Sequence, residues 1–517
     1  MQVPQGQHDP MITEPTAASS SLPAWLEAAP ACAQRAARAL LRTAGEFDPA
    51  DPYAGAGLRA WNAVGTAVDP MRLVEYWNTR SVGNPGGEMR YRWELGYQHA
   101  RSIPSSVPEP STWRAWREAE QAVLERDPFA FETRFTTPIL IVEHLELLLR
   151  HASADPGAKA LLEEAAPTIR RDFGLFVQAM SPWHDTFALW CLVRRPRALA
   201  MLHPLAVALA MCHAADASGV GMVLGKRFPF HEKPLVSASA QLGASLLSLG
   251  LELELAAKLA RYVRDAEGPA GAYADGKGRP DVLTTLVAAD LIVHVDPSFD
   301  GEATVRYLSE AQGDDGLWRA LGPEASWLTG EVMELLFALS RPFADRFRWP
   351  FLADSNRDHK TGLPFYAYFA DLARLFSSLP GLASSATQLA FIDLAGFRAF
   401  NNQFGQDRGD EVLRVFATAL SEVRGSCAIR DGGDEFLVVG APERSGLVED
   451  LNAFRRSWPA RFSAVFGEDV PPVVPRVLVQ KALCGSLVSV RERLGRTITT
   501  LKEEGVPGPH GILREVI

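Results

Sequence analysis

Apolar and polar positions in the last third of the chain fall into two strand patterns with a helix between them. Gln388-Leu389-Ala390-Phe391-Ile392 is an apolar run that ends on Asp393, as a buried strand delivering an acid to a sheet edge would do. Further on, the apolar runs 427–429 and 436–439 flank a polar centre at Gly432-Gly433, which predicts a β-hairpin whose turn uses the conformational freedom of glycine. The turn continues into Asp434 and Glu435, adjacent carboxylates that are best tolerated where water or a hard cation satisfies them. Residues 410–417 carry helical apolar spacing.

Upstream, 111–339 reads almost wholly as helix, clearest at 137–152, 167–180 and 235–249. Residues 23–43 also have helical spacing, with Trp25, Leu26, Ala29, Cys32 and Leu40 available for one face. An internal repeat offset by 45 residues pairs Arg261-Tyr262-Val263 with Arg306-Tyr307-Leu308, Glu267 with Gln312, Gly271 with Gly316, Tyr273 with Trp318 and Thr284 with Thr329. Such a period implies stacked helical hairpins sharing one core. The second copy, with Gln312, Gly316 and Trp318, resembles the Gln-Trp repeat of squalene-hopene cyclases and protein prenyltransferases, which implies an α/α-toroid-like fold. No Asp-x-Asp-Asp motif is present, so cyclase chemistry is not expected, and Asp314-Asp315 reads as a solvated turn. His184-Asp185 reads as the start of a helix, where the carboxylate suits the dipole.

A length of 517 residues exceeds one core and predicts several domains. The division is a disordered tail at 1–22, an irregular helical segment at 23–110, a helical repeat domain at 111–345 and an α+β domain at 346–517, with 341–354 as linker. A formal net charge of -10 argues against nonspecific nucleic-acid binding by the whole chain. Five cysteines without a Cys-x-x-Cys suggest neither a zinc site nor a disulfide framework and fit a reducing cytoplasm. The start of the chain lacks a signal-peptide pattern. No apolar stretch reads as a membrane span, the best candidate at 204–225 being broken by His213 and Asp216.

The C-terminal motifs together resemble the GGDEF domain of diguanylate cyclases over about 350–517. Asp358-His359-Lys360-Thr361-Gly362-Leu363 matches the Asp-x-x-Thr-Gly-Leu opening, and 432–436 the signature itself. The resemblance implies that Asp393, Asp434 and the Leu394 carbonyl hold Mg²⁺ (or Mn²⁺), and that Asp434 and Glu435 are catalytic. It also implies that Asn401 and Asp410 read guanine, with Arg398, Gln406 and Lys502 as further substrate contacts. The implied reaction condenses two GTP molecules into cyclic di-GMP, each domain holding one GTP, so a homodimer is implied. Asp431 stands where an aromatic is usual, Ala395 replaces a second Asp and Gln406 a common His. The product-binding Arg-x-x-Asp falls at 423–426 as Val-Arg-Gly-Ser, and the C-terminal helix motif is matched loosely at 494–502. Two readings remain open: a cyclase controlled by the helical region, and a degenerate GTP- or cyclic-dinucleotide-binding or protein-interaction module. The helical region itself could meet a protein partner or an apolar ligand.

Overall fold

A computed structural model describes residues 29–44, 146, 149, 182–216, 234–275, 278–319, 326–505, 507 and 511–516. The tail expected at 1–22, most of 23–110, the helix predicted at 167–180 and, apart from residues 146 and 149, the helix predicted at 137–152 lie outside them. The chain divides into two compact units, one ending at Ser340 and the other built on 341–517 together with Val293–Phe299.

The first unit is helical: α1 (Ala31–Ala44), α2 (Pro182–Val193), α3 (Pro196–Asp216), α4 (Val236–Leu249), α5 (Leu253–Asp265), a small ribbon of β1 (Ala274–Asp275) and β2 (Arg279–Pro280), α6 (Val282–Val293), α7 (Glu302–Glu310) and α8 (Ser326–Leu339). In α5, Leu253, Ala256, Ala257, Leu259, Ala260 and Val263 form the buried stripe that the spacing predicts. The segment predicted at 235–249 is α4, and His184-Asp185 sits in the first turn of α2. The expectation that no stretch could span a membrane is corrected: Pro196–Ala215 within α3, with a mean hydropathy of 1.7 and 50% of it buried, is long and apolar enough to do so. The sequence reading began that stretch too late, at Pro204, which α3 accommodates internally.

The repeat is realised as two equivalent turns. Thr285 Oγ1 accepts from Tyr273 N–H at 3.0 Å, and Thr329 Oγ1 accepts from Trp318 N–H at 3.0 Å. The equivalent threonine is therefore Thr285, one residue beyond the Thr284 that a constant offset selects. Both turns need glycine, for Gly271 (φ +72) and Gly316 (φ +90) are left-handed and each abuts a neighbouring helix. A Cβ on Gly271 would stand 2.4 Å from the backbone of Ala303, and Thr304 Oγ1 donates to the Gly271 carbonyl at 2.8 Å. In the second copy the facing helix is α1: a Cβ on Gly316 would meet Arg35 O at 3.1 Å, and Gln312 Nε2 donates to Cys32 O at 2.8 Å. The N-terminal helix thus occupies, against the last turn, the place α7 occupies against the one before. Inside the unit, Arg194, Arg195, Asp290 and Glu331 are buried as one ion network, and Trp190 Nε1 donates to Asp290 at 3.0 Å.

The second unit carries α9 (Phe343–Arg346), α10 (Tyr366–Ser378), α11 (Pro380–Ala383), β3 (Ala386–Ala395), α12 (Phe397–Phe404), α13 (Gln406–Leu420), β4 (Ser426–Gly432), β5 (Glu435–Gly440), α14 (Leu447–Phe466), β6 (Val474–Leu483), α15 (Leu487–Glu503) and β7 (Ile512–Val516). Its sheet runs β4-β5-β3-β6-β7, antiparallel except for the β6–β7 pair. The predicted hairpin is β4–β5, and the predicted strand is the central β3, buried from Thr387 to Ala395. Ala390, Ile392 and Leu394 face a core with Phe416 of α13 and Trp458 and Phe462 of α14. Alternate residues face α15, so Asp393 points to that side. The stretch expected to be a linker at 341–354 is packed instead: Phe343 and Phe347 are buried, Phe347 meets Phe376 edge-on, and Tyr368 donates to Pro350 O at 2.8 Å.

Trp458 is fully buried, donates to Val473 O at 2.6 Å and lies 4.8 Å from the Phe416 ring. Trp458→Ala is expected to destabilise this unit by about 3–5 kcal/mol, measured as a lower denaturation midpoint at unchanged slope.

Candidate active site

The site is built on β3 and its two neighbours. Asp393 lies directly opposite Glu435 of β5 and Arg476 of β6, so the three side chains form a row across one face of the sheet. A carboxylate this deep requires partners, since an unpaired buried charge is among the costliest groups a fold can hold. It has two: Arg476 Nη1 donates to Oδ2 at 2.7 Å, and Lys502 Nζ lies 2.8 Å from Oδ1. Lys502 projects from the last turn of α15 and also meets Glu435 at 2.9 Å. Burial alone would lower the lysine pKa, but its hydrogen bonds to Asp393 and Glu435 outweigh this and raise it, holding the ammonium charged. Arg476 is fixed from its far side by Gly505 O at 3.1 Å.

Asp434 sits in the turn with Gly433 (φ +51), where positive φ lets β4 return as β5. Its carboxyl is pushed above the usual range, first by burial and then by the negative charge of Asp393, with Lys502 opposing. Its carbonyl accepts from Leu394 N–H at 3.3 Å, tying the turn to the end of β3. The turn is anchored from behind by Arg430, which pairs with Asp358 and donates to Gly433 O at 2.7 Å. Burial would raise the Asp358 carboxyl, but Thr361 and Arg430 outweigh it and hold it below the usual range. Asp431, a departure from the expected aromatic, is paired with Arg491 of α15 at 2.5 Å, and that guanidinium lies over the Tyr366 ring at 5.0 Å.

The residues expected at the base-reading end stand on the helices that follow β3. Asn401 of α12 lies against Gly409 so closely that a Cβ there would be 1.7 Å from Asn401 Oδ1. That oxygen is buried without a hydrogen-bond partner. Asp410, the next residue, is paired with Lys360 at 2.8 Å. Arg398 and Gln406 are exposed at the starts of α12 and α13. The structure therefore joins Asp393, Asp434, Glu435 and Lys502 in one cluster and Asn401 and Asp410 in a second, while Arg398 and Gln406 belong to neither by contact.

Asp393 and Asp434 are hard oxygen donors whose negative charges act on each other, the ligand type that divalent cations such as Mg²⁺ take. Among the described residues no group of three or more His, Cys, Asp or Glu side chains forms a ready-made metal cage. Arg476 and Lys360 were missed by the sequence reading. The signal for Arg476 was present, a lone charge in the apolar run 473–479, whereas nothing local marked Lys360.

Residues 355–447 match the family model described as "Diguanylate cyclase, GGDEF domain". The chain is 37% identical over 103 residues to "Diguanylate cyclase DgcP" of Escherichia coli (strain K12), covering 19% of this chain and 30% of that protein. It is 30% identical over 178 residues to a "Diguanylate cyclase" of Vibrio cholerae serotype O1 (strain ATCC 39541 / Classical Ogawa 395 / O395), covering 31% of this chain and 50% of that one. The chain thus spans half or less of these curated relatives. Solved structures similar to it include the GGDEF domain of DgcB from Caulobacter crescentus in complex with c-di-GMP, at 24% identity over 32% of this chain and 97% of that one, with a TM-score of 0.27. Another is diguanylate cyclase SiaD in complex with its activator SiaC from Pseudomonas aeruginosa, at 23% identity over 32% and 62%, with a TM-score of 0.27. A GGDEF domain therefore lies in the C-terminal part of the chain, on an α+β sheet.

A raised Asp434 carboxyl means that ionisation there opposes folding. Asp434→Asn in metal-free buffer is expected to raise the melting temperature at pH 7. The advantage should fade as pH falls through the native carboxyl's raised pKa and vanish below the unfolded value near 3.8, where the wild-type side chain is protonated in both states. Equal or lower melting at pH 7 would contradict the assignment.

Proposed function

We propose, from the GGDEF domain matched at 355–447, that the C-terminal unit condenses two GTP molecules into cyclic di-GMP. The observation that supports the reading is the cluster of Asp393, Asp434 and Glu435 about the Lys502 ammonium, with the buried, unpartnered Asn401 oxygen and the Asp410 carboxylate forming a second group on α12 and α13. Asn401 and Asp410 would hold the guanine, Asp410 accepting from its N1–H and amino group, a pair of donors that adenine lacks. Asp393, Asp434 and the Leu394 carbonyl would hold Mg²⁺ or Mn²⁺, whose charge offsets the triphosphate and makes the 3′-hydroxyl more acidic. Lys502, freed from Asp393, would turn its charge on the phosphates, while Arg476 remains to neutralise the acid beneath. In each half-reaction the 3′-oxygen of one GTP bonds to the α-phosphorus of the other, the bond to pyrophosphate breaks, and the hydroxyl proton passes to a site carboxylate or water. Arg398 and Gln406, exposed beside α12 and α13, are free to meet phosphate or base at the rim.

Each domain holds one nucleotide, so two copies must meet, and we assign that role to a homodimer. The helical unit would govern or localise this pairing through a protein partner or a ligand. The placement of α1 against the Gly316 turn supports a toroid-like closure of its hairpins. A cytoplasmic setting fits a substrate such as GTP.

A second reading has its own support: both oxygens of Asp393 are engaged by protein cations, which compete with a divalent ion. On it the domain binds GTP or a cyclic dinucleotide without turnover. Incubating the full chain with GTP and Mg²⁺ is expected to yield cyclic di-GMP and pyrophosphate in a 1:2 ratio, and Asp434→Ala is expected to abolish both. Thermal stabilisation by GTP without product would establish the binding reading. Product from the Asp434→Ala variant would overturn the assignment of that acid.

A further inference from the structure

The Watson–Crick edge of guanine presents one acceptor, O6, beside two donors, N1–H and the 2-amino group. Asp410, as an acceptor-only carboxylate, can serve the two donors and cannot serve O6. Lys360 is the donor that the structure sets beside this carboxylate. Its Nζ is 2.8 Å from both Oδ1 and Oδ2 of Asp410, on a side chain 41% exposed against a carboxylate 32% exposed. Two of its three N–H groups suffice for those contacts, so one remains for a further acceptor.

The position of this lysine is built. The loop bearing it is wound around Asp358, whose Oδ2 accepts from Thr361 N–H at 3.0 Å and from Thr361 Oγ1 at 2.7 Å. Gly362 N–H returns to Asp358 O at 2.7 Å, and Asp358 pairs with Arg430 behind the Gly-Gly turn. Lys360 is thus held by the same anchor that holds Asp434. Its partner is equally fixed, since Gly409, just before Asp410, is the residue over which the buried, unpartnered Asn401 oxygen lies.

We propose that Lys360 is a specificity-determining residue of the nucleotide site, donating to the 6-oxo group of the purine while Asp410 accepts from N1–H and the 2-amino group. This rests on the guanine-site reading of Asn401 and Asp410. A purine carrying an amino group at C6 would set a donor against the ammonium and leave the Lys360–Asp410 pair desolvated and unmatched. Sites built to hydrogen-bond a group discriminate strongly against analogues that lack it.

The test is calorimetric titration of the full chain and of Lys360→Met with the non-condensing α,β-methylene forms of GTP, ITP and 2,6-diaminopurine riboside triphosphate, each with Mg²⁺, so that binding is read without turnover. ITP differs from GTP only at C2, whereas the diaminopurine nucleotide differs at C6 and N1. Lys360→Met is expected to bind GTP and ITP about ten-fold or more weakly, in line with a lost charge-assisted hydrogen bond. Its affinity for the diaminopurine nucleotide should change far less, so that the preference for a 6-oxo purine shrinks, while the melting temperature stays that of the wild type. Lys360→Arg should recover part of the preference. Equal or tighter GTP binding by Lys360→Met would make the lysine a plug over Asp410 and overturn the proposal. An equal loss for all three nucleotides would make it a general phosphate attractant and overturn it too. If the wild type binds none of them, the guanine-site reading itself falls, an outcome distinct from intact binding that ignores Lys360.

Discussion

A carboxylate set in the middle strand of a sheet covered on both faces is the constraint around which the C-terminal unit is arranged. Asp393 is 1% exposed, and a charge so placed is tolerated only where opposite charge and hydrogen bonds replace water. The sheet supplies Arg476 from the adjacent strand at the directly opposed register position, and α15 supplies Lys502. These requirements fix the register of β3 against β6 and dock the last turn of α15 on the sheet. Glu435, opposite Asp393 on the other side, places like charge in the same row, and Lys502 bridges the two. The cluster thus sets three acids about a cation whose side chain is 40% exposed, whereas Arg476 on the same acid is buried.

The second organising contact is the Arg430–Asp358 pair, which joins the segment before α10 to the hairpin turn. One anchor therefore holds both Asp434 and Lys360, and a third segment, α12 with α13, meets them at Asp410. The Asp393–Asp434 cluster and the Lys360–Asp410 pair are thereby set by the sheet's own connectivity. Between them lies only the Gly396 turn and α12, with Gly396 at φ +81 permitting the abrupt exit from β3.

What could be read from the sequence was what neighbouring residues express together. The β4–β5 hairpin, the buried β3 and the acids at 393, 434 and 435 are local patterns of apolar period and glycine, and they fold as that period predicts. The pairings that complete the site join positions far apart: Arg476 with Asp393 across 83 residues, Lys360 with Asp410 across 50, Arg491 with Asp431 across 60. No periodicity reports such pairs, so Asp431 read as a defect when its carboxylate has a partner on α15. In the helical unit the repeat was legible through Gly271, Gly316, Tyr273 and Trp318, but a single residue of slippage hid Thr285. The seat of α1 against the last turn, through Gln312 and Cys32 across 280 residues, was likewise invisible. The segment between the predicted helix end at Phe343 and Asp354 reads as a linker because it carries no sustained heptad and contains Pro350. Phe343 and Phe347 instead give it apolar surface to bury.

The central claim is that the Asp393 oxygen held by Lys502 is given up to the cation of a bound nucleotide. Crystals grown with Mn²⁺ and a non-reactive GTP analogue, measured at the manganese absorption edge, examine this directly. The account predicts an anomalous peak between the Asp393 and Asp434 carboxylates, with Lys502 turned from Asp393 toward phosphate. Nucleotide bound with Lys502 still on Asp393, and no peak between the two acids, would contradict it.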